Sequence, residues 1–172
     1  MRLASGPSSP GLHDHEAKIS HEADRLAQRA ERAGLPRPFG NALSGVLLVV
    51  EGAENAYHTR LVEALRRSLA AVYLEDAYVT WPSPNLFEEI LAFEPAGLVA
   101  VGPRAVQAID SLSYPLAKMS FSEALEGSWF AWTKSTRGLL LPALAPALND
   151  DGAKRRFWRA FLTLRSFAPD RE

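Results

Sequence analysis

The sequence has no cysteine. That excludes disulfides, a thiolate nucleophile and any sulfur-ligated metal centre, and it makes the cytoplasm the expected compartment. A surplus of either charge is also missing. The chain carries 19 basic and 20 acidic residues, a formal net charge of -1. The bulk field that draws polyanions to a strongly basic protein is therefore absent, and any DNA contact has to come from a local patch. No apolar run approaches membrane-spanning length, and the first residues show no signal-like apolar core. Glycine-rich phosphate loops are lacking as well: the turn after the most apolar segment holds the single glycine Gly52, where a dinucleotide or P-loop fingerprint needs several. Histidines are few, and none are paired at metal-ligand spacing in the folded part. His13 and His15 lie in a Ser-, Pro- and Gly-rich stretch and are expected to be solvated. No metal and no cofactor is expected.

What is present is enough apolar material for one domain: 47% of 172 residues are hydrophobic. The organising stretch is Gly45-Val-Leu-Leu-Val-Val-Glu-Gly52. A short, continuous, Val-rich run fits a strand buried on both faces, at the centre of a parallel sheet. In open α/β sheets ligands bind outside the carboxyl ends of the strands, so residues 51–58 are the first place to look for chemistry.

Taken in order, residues 1–15 read as a disordered tail. Residues 16–33 read as a helix with a thin stripe of Ile19, Ala23, Leu26, Ala27 and Ala30. This helix either packs on the domain or docks on another protein as a helix in a groove. Residues 35–40 form a Pro-rich connector, and the α/β domain spans 41–169. A helix over 58–72, strands at 76–81 and 98–101 and helices at 86–93 and 104–110 follow, with Asn85 as the expected N-cap of the 86–93 helix. Segments 128–132 and 138–141 compete for a fourth core strand. Asp150 or Asp151 caps a last helix running to 167. This alternation specifies a three-layer α/β/α sandwich with a mostly parallel, four-stranded sheet.

Two constellations could carry chemistry. Glu54, Asn55, Tyr57 and His58 place a carboxylate, an amide, a phenol and an imidazole after the central strand. Glu54 could activate a water and Asn55 could read a base edge, or both could simply cap the next helix. Lys154, Arg155, Arg156 and Arg159 alternate with Phe157 and Trp158. Basic and aromatic residues together suit nucleic acid, whereas an amphipathic helix would turn the aromatics inward and the charges to solvent. Trp81, Trp129 and Trp132 are open to the same two readings.

The order of elements resembles the uracil-DNA glycosylase superfamily. The residues that carry this are Glu51-Gly-Ala-Glu-Asn55, Asp76-Ala-Tyr-Val-Thr80, Glu94-Pro-Ala-Gly-Leu-Val-Ala-Val-Gly-Pro-Arg-Ala105 and the Leu141-Pro-Ala-Leu ending with Lys154 and Trp158. The superfamily's second motif places a histidine beside the proline; here Leu141 precedes Pro142. The chain also resembles the psi-subunit family of bacterial DNA polymerase III. There the matching segments are Leu47-Leu-Val-Val-Glu-Gly-Ala-Glu-Asn55 and Pro142-Ala-Leu-Ala-Pro-Ala-Leu-Asn-Asp-Asp-Gly-Ala-Lys-Arg-Arg-Phe-Trp158, behind an N-terminal extension.

The second resemblance implies a glycosylase-like fold without the chemistry. It implies a replisome adaptor that links the clamp loader to the chi subunit, and through chi to single-stranded-DNA-binding protein. Ile19, Leu26, Leu35 and Phe39 are the expected apolar anchors of the extension. The first resemblance implies a divergent DNA repair protein, active or catalytically dead. In that case Glu54 or Asn55 would orient water, Tyr57 or His58 would wall the base pocket, and the helix from Lys154 to Arg159 would touch phosphates.

Overall fold

The Val-Leu-Leu-Val-Val run forms strand β1 (Val46–Val50), and all of its residues are buried. This is a computed structural model describing residues 10–53 and 55–167, with backbone alone at Pro10 and Asn55. Strand side chains alternate between faces, so a strand that is apolar throughout must be covered on both sides. One face, with Leu47 and Val49, packs with Leu26, Leu86, Ile90 and Ile109; the other, with Val46, Leu48 and Val50, packs with Leu61, Leu65, Phe157 and Phe161.

Those partners lie on helices α1 (Pro10–Arg32), α3 (Leu86–Phe93) and α4 (Pro103–Asp110) for the first face, and α2 (Asn55–Ala71) and α5 (Asp151–Phe161) for the second. The remaining strands are β2 (Tyr78–Thr80), β3 (Gly97–Val101), β4 (Phe130–Ala131) and β5 (Arg137–Leu141). Their order is β2-β1-β3-β5-β4. β1, β2, β3 and β5 run parallel, with Leu48 opposite both Val79 and Val99, and Val99 opposite Leu139. The protein is thus a mixed α/β fold with one mostly parallel sheet covered by helices on both faces.

Several expectations need correction. Among the described residues the sheet has five strands rather than four: 138–141 lies inside β5, and 128–132 contains the two-residue β4, antiparallel to β5 at the sheet edge. α1 begins at Pro10 rather than at residue 16, with proline at a position where its missing N–H costs nothing. The expected disordered tail therefore gives way to helix from residue 10; residues 1–9 lie outside the described residues. α2 begins at Asn55 rather than at residue 58, which places Tyr57 within its first turn rather than before it. The last helix gives way after Phe161 to a 3-10 turn at Leu162–Ser166.

The connector is tied to the sheet. Phe39 and Val79 exchange backbone hydrogen bonds of 3.0 and 2.7 Å. Gly40 follows at φ +104°, where a Cβ would lie 2.0 Å from the Ala77 carbonyl oxygen; only glycine permits that approach. Among the described residues, no helix is long and apolar enough to cross a membrane.

Candidate functional site

Because the strands are parallel, their carboxyl ends deliver Glu51, Trp81, Gly102 and Pro142 to one edge of the sheet. β1 and β3 are neighbours there, yet the chain leaves β1 toward β2 on one side and later returns to β3 on the other. This is the switch-point crevice where α/β sheets receive ligands.

The crevice has an internal occupant. A carboxylate oxygen of Glu51 accepts a 2.7 Å hydrogen bond from the Arg104 backbone N–H at the first turn of α4. Gly102, at φ +99°, brings its backbone so close that a Cβ would meet the Glu51 Cβ at 2.8 Å and Oε1 at 2.9 Å. One orphan N–H and the positive end of α4 are thereby met by a side chain of the protein itself.

Outside this contact lies an open cleft of about 930 Å³, walled by Leu35, Tyr57, His58, Trp81, Arg104 and Asn149. The His58 ring lies 5.0 Å from the Trp81 ring, centroid to centroid, at 53°. Tyr57 is 47% exposed, with the Arg60 guanidinium 5.9 Å from its ring centroid. The structure therefore brings Tyr57 and His58 together with Glu51. Glu54 lies outside the described residues, as does the Asn55 side chain. No cluster of three or more His, Asp or Glu that could hold a metal occurs among the described residues.

His58 and Trp81 also wall a second cleft, of about 570 Å³, between α1, the connector and α2. Phe39 borders it, half-buried, with the Arg66 guanidinium 4.0 Å from its ring centroid. Leu35 is half-buried too. Ile19 and Leu26 are not available as outward anchors. Both are buried against the domain, because the thin apolar stripe of α1 is spent on α3 and the sheet. Of the two readings of this helix, packing on the domain is the one these contacts show.

Sequence reasoning missed a polar cluster, built on the buried Asn85, that fastens α1 to α3. Asn85 does not cap α3 with its side chain. Instead its Nδ2 donates to the Leu26 carbonyl at 3.1 Å, and its Oδ1 accepts from Arg29 Nε at 2.8 Å. Arg29 also pairs with Glu88, whose carboxyl is held below the usual range by the Arg29 and Arg25 guanidinium groups.

One turn further in, Glu89 is fully buried, with Thr80 Oγ1 2.9 and 2.8 Å from its carboxyl oxygens. Burial pushes this carboxyl up to about 7, against the opposing hydrogen bond from Thr80. Burial, with the nearby Glu89, also raises the Tyr78 phenol. The signal for Glu89 was legible: residues 86, 89, 90 and 93 share one helix face, and Glu89 is the charged residue among Leu86, Ile90 and Phe93.

On α5, Asp150 caps the helix by accepting from Ala153 N–H at 2.7 Å. Phe157 is buried while Lys154, Arg155, Arg156 and Arg159 are exposed. Arg156 is paired with Glu126 at 2.6 Å. Trp81 and Trp132 belong to the core, and the Trp129 indole donates to the Thr163 carbonyl at 3.3 Å.

Neither a comparison with protein-family models nor one with curated proteins finds a match for the chain.

Proposed function

We propose that this protein is a non-catalytic replisome adaptor on a uracil-DNA glycosylase-like fold, resembling the psi subunit of DNA polymerase III. In this reading it joins the clamp loader to the chi subunit and, through chi, to single-stranded-DNA-binding protein. The observation that carries the non-catalytic part is the Glu51 contact. At the crevice where this fold class receives ligands, the chain places its own carboxylate on the helix terminus, and β5 leads into Leu141-Pro142 without a histidine. Four parallel strands between two helical layers support the fold reading.

The N-terminal interface in this account is the connector, where Leu35 and Phe39 retain exposed surface. Direct capture of purified clamp-loader and chi subunits tests the proposal. A chain that releases uracil from DNA and captures neither contradicts it.

A second reading is favoured by the walls of the larger cleft. Tyr57 and His58 there offer a phenol and an imidazole to a flat ring, with the buried Trp81 indole backing the imidazole. This reading is a divergent glycosylase-type DNA repair protein, with Glu54 or Asn55 orienting water. It predicts base release from a lesion panel that Glu54→Ala abolishes with folding intact.

A further inference from the structure

A third groove lies on the opposite helical layer, between α2 and α5. Its cavity is about 500 Å³. The floor is apolar, formed in part by Leu148 and buried Phe157; among the described residues the rim carries Arg60, Arg67 and Lys154 against one carboxylate, Glu63, with the Trp158 indole at one end.

Two of the rim cations are not used up internally: among the described residues, neither Arg67 nor Lys154 has an ion-pair partner, whereas Arg60 donates to the Leu148 carbonyl at 3.3 Å and lies over the Tyr57 ring. Trp158 is 36% exposed, with one face stacked on Phe161 at 5.7 Å. Its Nε1–H has no acceptor among the described residues, and an indole N–H at an interface ordinarily finds one.

We propose that this groove binds an acidic peptide segment of a partner protein, one that carries apolar side chains among its carboxylates. Charge complementarity names the acid: a local surplus of cations on a chain whose net charge is -1 attracts a short anionic segment rather than a long polyanion. The apolar floor calls for side chains that fill it, which a run of phosphates does not supply. Carboxylates on Arg67 and Lys154 would make charge-assisted hydrogen bonds, and Trp158 would anchor one end, as buried-edge indoles do at interfaces. The inference rests on the adaptor reading only in expecting a protein partner.

The test is fluorescence anisotropy with the whole chain and short labelled peptides. The probes are one peptide alternating Asp with Phe and Leu, the same peptide with Lys for Asp, an all-Asp peptide, and an oligothymidine of equal length. The mixed acidic peptide is expected to bind best. Arg67→Glu, Lys154→Glu and Trp158→Ala, all at exposed positions, should each weaken it by about tenfold while leaving the circular dichroism spectrum unchanged.

Tighter binding of oligothymidine than of the acidic peptide overturns the proposal in favour of nucleic acid. Binding of no probe, or binding untouched by all three substitutions, also overturns it. If that happens while clamp-loader subunits are still captured, the groove assignment alone fails. Peptide binding without clamp-loader capture supports the groove and removes the partner identity.

Discussion

Glu51 and Arg104 are joined across the switch point of the sheet, carboxylate to backbone N–H, at 2.7 Å. This one contact caps α4 and locks the end of β1 to the loop after β3. Glu51→Ala should lower stability by about 1–2 kcal/mol, as for loss of a charged helix cap. Gly102→Ala should cost about 1–3 kcal/mol from the left-handed backbone alone, with the Glu51 side chain in the way of the new methyl group. Urea midpoints check both; a midpoint unchanged by Glu51→Ala would show that the contact contributes nothing to the fold.

The buried Glu89 makes stability depend on pH in a definite direction. Its carboxyl titrates at about 7 in the folded chain against an ordinary 4.5. The native state therefore holds a proton that the unfolded chain has already released. Its contribution is full below pH 4.5 and is lost as pH rises through about 7. Thr80, Tyr78, Arg29 and Glu88 are the groups that surround or act on it. Glu89→Gln should remove this slope and gain up to about 3 kcal/mol over wild type above pH 8. Chemical denaturation from pH 5 to 8 reads it out, and parallel curves for the two proteins would refute the shifted carboxyl.

Asn85 separates two local roles. If it fastens α1, Asn85→Ala should cost about 1–3 kcal/mol, the range for orphaned buried partners, and should raise hydrogen exchange through residues 19–32. If its role were to cap α3, the increase would appear at residues 86–89 instead. The structure favours the first outcome, since both side-chain ends of Asn85 engage α1.

Leu26 is fully buried in the layer that holds α1. Leu26→Ala should destabilise by about 2–5 kcal/mol, as large-to-small core substitutions do. Thermal or urea unfolding of the whole chain should remain a single transition at a lower midpoint. An unchanged midpoint would mean that α1 is not part of the cooperative unit.

The central strand, the parallel sheet and the helical layers were readable because β1 is apolar at every position, which only a doubly covered strand tolerates. The start of α1 was not readable: Pro, Gly and His in residues 10–15 suggest a tail, and residues 11–18 are exposed, so no apolar period marks the helix there. β4 was hidden because two residues cannot show alternation. Asn85 carried a correct boundary but a wrong partner, since cap propensity is local while the Leu26 carbonyl arrives from 59 residues away. At the site, Tyr57 and His58 were legible from their place after β1. The Glu51 contact was not, because the residue it meets belongs to a later crossover. Ile19 and Leu26 were identified as apolar anchors, but sequence alone does not say whether an amphipathic helix spends its stripe inside or outside the chain.

The most direct test of the adaptor account is size-exclusion chromatography of the full chain mixed with purified clamp-loader and chi subunits from the same source. The account predicts a single complex containing all three, weakened when Phe39 and Leu35 on the connector are changed to Ser. Separate elution of the chain from both partners, at concentrations where the partners themselves remain intact, would contradict it.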